Sequence, residues 1–125
     1  MRKKVIGRLC FLFLVTVFLS ACTSDTLVPD VPSPDQPVSF ANDIQPVFNQ
    51  GCNNTGCHST GMVSPDLSSG KSYNSLFASN LIDTLQPSQS VLYTEMKSGG
   101  GMSSYCSQAQ AELVLLWIQQ GAKNN

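Results

Sequence analysis

The sequence predicts an all-α fold of three to five short helices joined by glycine-rich loops. Three observations carry that expectation. No stretch alternates apolar and polar residues as a half-buried strand does. Apolar residues recur instead at helical spacing in four short windows. Residues that start and stop helices punctuate those windows, most clearly Ser107, Gln110 and Gly121 around the last one.

Residues 1–21 stand apart from this fold. Arg2, Lys3, Lys4 and Arg8 make a basic start, and Leu9 to Leu19 is apolar apart from Thr16. The apolar run is shorter than the roughly 20 residues a membrane-spanning helix needs, so it reads as an export signal. Leu19-Ser20-Ala21-Cys22 follows and resembles the lipobox of bacterial lipoproteins. That resemblance implies cleavage before Cys22, lipidation of Cys22, and a protein anchored in the cell envelope, facing the periplasm or the cell surface. Several acyl chains together hold far more firmly than one. In residues 22–37, Pro29, Pro32, Pro34 and Pro37 sit among Ser, Thr and Asp. Prolines disfavour helices and ladders, so this stretch reads as a semi-rigid tether.

The folded domain is expected over 38–125. Asn42 or Asp43 is placed to cap a first helix presenting Ile44, Val47 and Phe48, with Phe40 beside them and Gly51 as its stop. With Asp43 as N-cap, Pro46 falls at N3, where its missing N–H costs nothing. His58 to Lys71 reads as loop. Ser72 to Ser79 carries Tyr73, Leu76 and Phe77 on one short helical face. Ser90 is placed to cap Val91, Leu92, Tyr93 and Met96, and Gly99-Gly100-Gly101 ends that helix. The last helix starts at a capping box, Ser107 with Gln110. Leu113, Leu115, Leu116, Trp117 and Ile118 give it a wide apolar surface, Gly121 sits at C′, and Lys123 lies near its negative end.

A domain this small buries only about 60–70% of its unfolded surface, so a disulfide, metal or buried cofactor would help to hold it. Without the leader, only Lys71, Lys97 and Lys123 oppose the eight carboxylates of the chain. Nucleic acid is therefore excluded as a partner, because its binding needs a basic footprint. A protein with a basic docking surface suits this charge better.

The densest chemical signal is Cys52-Asn53-Asn54-Thr55-Gly56-Cys57-His58, which contains the sole histidine of the chain. Two neighbouring thiols followed by an imidazole suit covalent haem attachment, the thiols adding to the porphyrin vinyl groups and His58 ligating the iron. The usual spacing is C-x-x-C-H, and this loop is two residues longer. Gly56 can supply the backbone angles such a bulge needs. A second axial ligand is usually Met or His. Met62 lies too close in sequence to His58 to reach the opposite haem face, and Met96 falls in a helix as core filler. Met102 follows three glycines in a loop and is the expected sixth ligand. Pro65 falls where a loop carbonyl can accept the His58 Nδ1–H.

These residues resemble those of a small class I c-type cytochrome domain, in particular the monohaem lipoprotein cytochromes of Bacteroidetes-type bacteria with a C-x4-C-H site. The matching residues are Phe40 to Phe48, Cys52 to His58, Pro87 with Ser90 to Tyr93, Met102, and Leu116-Trp117-Ile118 with Gly121-Ala122. They span about 38–124. The resemblance implies a cytochrome c-like all-α domain around one haem c, with the first and last helices crossing beside it. It implies Cys52 and Cys57 as thioethers, His58 and Met102 as axial ligands, and monomeric electron transfer without bond chemistry. Where the family commonly has two prolines after its Met, this chain has Ser103-Ser104.

Two other classes remain open from the residues alone. A disulfide among Cys52, Cys57 and Cys106 would make this a structural or binding lipoprotein, and three Cys with one His could hold zinc. Cys106 is left over by the haem reading, as a free thiol, a small buried hydrophobe or an intermolecular link. No Ser-His-Asp set or carboxylate pair points to an enzyme.

Overall fold

The computed structural model describes residues 33–125. The leader, Cys22 and the start of the tether lie outside the described residues. Among the described residues the fold is helical, with no strand. No helix there is long and apolar enough to cross a membrane.

A π-helical turn, Phe40–Ile44, leads directly into α1, Gln45–Gly51. The helix begins earlier than expected. Its N-cap is Ser39, not Asn42 or Asp43. The Ser39 hydroxyl accepts from the Asn42 amide at 3.2 Å, and Asp43 reaches back to accept from the Ser39 amide at 2.7 Å. The cause is tertiary. The chain end folds onto this turn, with the Asn125 carbonyl accepting from the Ala41 amide and the Ser39 hydroxyl, and Asn125 Oδ1 from the Phe40 amide. Pro46 therefore lies inside a continuous helical segment and not at N3. It lacks the N–H that an α-helical ladder would use, and the wider π turn lies just before it.

The second helix, α2, is Ser72–Ala78, and α3 is Val91–Met96 after a 3₁₀ turn at Pro87–Gln89. Ser90 stands at the N-cap of α3, but its hydroxyl bridges the Asp83 amide and carbonyl at 2.8 and 3.1 Å, and caps nothing. A second 3₁₀ turn, Ser103–Tyr105, precedes α4, Gln108–Gln119. The capping box of α4 is complete, with the Ser107 hydroxyl accepting from the Gln110 amide and Gln110 from the Ser107 amide. Its far end is a Schellman turn. Gly121 at φ 92° donates to the Ile118 carbonyl, and the Ala122 amide donates to the Trp117 carbonyl.

Trp117, Ile118 and Val114 of α4 are fully buried against Ile44 and Phe48 of the first helical segment and Leu76 of α2. The Phe40 ring lies 5.2 Å from both Trp117 and Tyr73, the latter edge-on at 85°, a favoured aromatic arrangement. Trp117 Nε1 donates to the Lys123 carbonyl, and the Tyr73 hydroxyl to the Ala122 carbonyl. The buried Gln45 side chain is held by the Ser72 hydroxyl, Asn49 and the Leu67 carbonyl. Every buried side-chain N or O among the described residues has a partner. Gln120 binds Val38, Pro34 and Gln36, tying the end of the proline-rich stretch to α4.

Candidate functional site

The C-x4-C-H loop leaves α1 at Cys52 and closes on itself. Cys52 caps the helix through its amide to the Phe48 carbonyl, and its own carbonyl accepts from the His58 amide at 3.1 Å. Inside that ring, the Cys57 amide bonds the Asn54 carbonyl at 2.9 Å. Gly56 takes φ 86° with open space around it. The two extra residues are thus absorbed as a left-handed bulge, which glycine adopts without a Cβ penalty.

His58 is fixed by the loop after it. Its Nδ1 lies 3.1 Å from the Pro65 carbonyl and 3.2 Å from the Val63 carbonyl. Both partners only accept, so Nδ1 carries a proton, and the tautomer so favoured is the one that has its lone pair on Nε2. An imidazole held this way is ready to ligate a metal. The Val63 amide donates back to the Cys57 carbonyl and the Leu67 amide to the His58 carbonyl. Asp66 braces the same loop by accepting from the Ser68 amide. Hydrogen bonds from Ser68 hold its carboxyl below the ordinary carboxylate range.

These residues face a pocket of about 440 Å³, within the roughly 300–1,000 Å³ usual for cofactor sites. Cys52, Cys57, His58 and Met102 all line it. So do Phe48 and Gly51 of α1, Leu67 and Leu81 of the loops, and Val91, Leu92 and Met96 of α3. Glu95 is the only carboxylate in the lining. The Met102 side chain is 39% exposed, whereas Met96 is 3% exposed and belongs to the core. Met62 lies outside the pocket and is 53% exposed. Of the three methionines among the described residues, Met102 alone is both at the pocket and free of the core.

Among the described residues the three thiols, Cys52, Cys57 and Cys106, are free. Burial pushes the Cys52 thiol up to about 11, with Cys106 and then Cys57 adding to the effect. Burial also raises Cys106. Cys106 Sγ donates to the Met96 carbonyl at 3.2 Å and lies 3.7 Å from the Met102 carbonyl, packed against the core edge. Among the described residues no three His, Cys, Asp or Glu side chains converge as a tetrahedral metal site would require. A haem asks for a different set, two sulfurs, one imidazole and a thioether around an apolar cavity, and the residues present fit that set.

Two residues shape the pocket in ways that sequence reasoning did not give. The helix ends at Gly51 as expected, but without a left-handed φ. A Cβ there would run into the Tyr105 carbonyl oxygen, so glycine is needed for close approach. Glu95 holds the loop that carries Met102. The Gly51 contact has no local signal in sequence, because it joins α1 to a loop distant along the chain, whereas Glu95 reaches a loop only six residues on.

The chain matches no family model, no curated protein and no solved structure.

Proposed function

We propose that this domain holds one covalently attached haem c and carries single electrons between partners in the cell envelope. The observation that carries this reading is the convergence of Cys52, Cys57, His58 and Met102 on one apolar pocket. Cys52 and Cys57 would form the thioethers, and His58 Nε2 and the Met102 thioether would hold the iron. A haem so held supplies one-electron redox chemistry, and ligation by His and Met leaves no open coordination site for substrate. The chain therefore acts as a carrier and not as an enzyme. Apolar walls from α1 and α3 line the site, and the carbonyls of Val63 and Pro65 accept from the His58 Nδ1–H. Cys22 anchors the protein by lipid, and the tether of residues 22–37 spaces the domain from the membrane. The acidic balance of the exported chain favours redox partners with basic surfaces.

The test is direct. The full chain, expressed with c-type haem maturation machinery, is expected to be red and to keep its haem through denaturing electrophoresis. Intact mass should rise by one haem, and Cys52→Ala with Cys57→Ala should remove it. Colourless protein, or a Cys52–Cys57 disulfide in material from a competent host, overturns the proposal.

A further inference from the structure

The loop that presents Met102 lacks the two prolines that would stiffen it, and the structure holds it by another means. Glu95, in the last turn of α3, takes up two consecutive loop amides. Its carbonyl accepts from the Met102 amide at 2.9 Å, and its Oε2 accepts from the Gly101 amide at 3.0 Å. Gly100 and Gly101 allow this approach. A Cβ on Gly100 would collide with the Glu95 and Thr94 carbonyl oxygens, and one on Gly101 would lie 2.6 Å from Glu95 Oε2. Behind the loop, the Ser103 hydroxyl donates to the Gly100 carbonyl at 2.7 Å, and Cys106 Sγ reaches the Met96 carbonyl. A carboxylate at the C-terminal end of a helix meets the negative pole of its dipole. The Gly101 amide donated to Oε2 compensates for placing one there.

We propose that Glu95 is a positioning residue for Met102, its carboxylate clamping the Gly101 amide beside the backbone bond from Met102 so that the thioether stays at the pocket. The proposal rests on the haem reading. It also gives the glycine run a purpose beyond ending α3. Proline stiffens a loop covalently by fixing φ, whereas here one charge-assisted side-chain hydrogen bond does so beside one backbone bond.

The experiment compares haem-loaded wild type, Glu95→Ala and Glu95→Gln, with Glu95→Asp as a variant that keeps the charge but shortens the reach. Haem staining and intact mass come first. If wild type carries no haem, the functional reading fails and the clamp is judged on the second readout alone, amide exchange in the haem-free chain. Exchange at Gly101 should quicken in Glu95→Ala and stay near wild type in Glu95→Gln. In loaded protein, added imidazole competes with Met102 for the iron. Glu95→Ala should bind it about three- to tenfold more tightly, the scale of one exposed-to-buried hydrogen bond, and should weaken the sulfur–iron absorption band. Glu95→Gln, which keeps an acceptor oxygen, should restore both, and Glu95→Asp should fall between. Wild-type imidazole affinity and wild-type Gly101 exchange in both Glu95→Ala and Glu95→Asp would overturn the clamp.

Discussion

At the residue scale the site depends on which protons stay where. Cys52 holds its proton to about 11 because burial disfavours the thiolate, and nearby Cys106 and Cys57 disfavour a further negative charge. The unfolded thiol ionises near 9.0. Between those two values the folded haem-free chain binds more protons than the unfolded chain. The stability contributed by this group is therefore complete below about 9 and is lost as pH rises toward 11. In haem-free protein, iodoacetamide should label Cys52 slowly near pH 8, with a rate that climbs until about pH 11. Mass spectrometry of the alkylated peptide reads that profile, and a midpoint near 9 would mean Cys52 is not buried as described. The motif itself was legible in sequence, because two thiols and an imidazole carry their chemistry wherever they fold. Cys106 was not, since its meaning lies in contacts to Met96 and Met102 that only the folded chain brings together.

At the element scale, local signals were read well and tertiary ones were not. The start and stop of α4 were both visible, because a capping box and a C′ glycine act within a few residues. Ser107→Ala should cost about 1 kcal/mol, and Gly121→Ala a similar amount because φ there is 92°. Urea unfolding of each variant measures these losses. Equal stability of Ser107→Ala and wild type would show that the box contributes nothing in context. The first helix misled for the opposite reason. Its true cap, Ser39, is selected together with Asn125, from the far end of the chain. Ser90 holds the expected position before α3, yet its hydroxyl serves Asp83. Asn42 and Asp43 were plausible caps by composition alone, and a contact with the chain end outweighed them.

At the scale of the whole molecule, α1, α4 and α2 form a core through Phe40, Phe48, Leu76 and Trp117, while α3 and the two long loops stand around the pocket. The C-x4-C-H loop and the Met102 loop meet at the end of α1, where Gly51 passes beneath the Tyr105 carbonyl. That contact couples the two loops that carry the proposed haem ligands, so Gly51→Ala should push them apart and lower haem retention and stability together. On the proposed haem reading, the same architecture would make the cofactor a structural element. A chain of this size has little stability to spare, and here one side of its apolar interior opens into the pocket. A group covalently held there covers that wall in the folded state and has no comparable surroundings in the unfolded one. For a domain of 60–100 residues, each 1 kcal/mol moves Tm by roughly 4–8 °C. A gain of about 2–4 kcal/mol should therefore separate haem-loaded from haem-free protein by about 10–30 °C. Differential scanning calorimetry of wild type against Cys52→Ala with Cys57→Ala, both matured in the same host, measures the separation. The control is Met102→Ala, which keeps the thioethers and should retain most of the gain, because covering the pocket wall matters more to folding than the sixth ligand. If the loaded and haem-free proteins melt together, the pocket is not where the bound group sits.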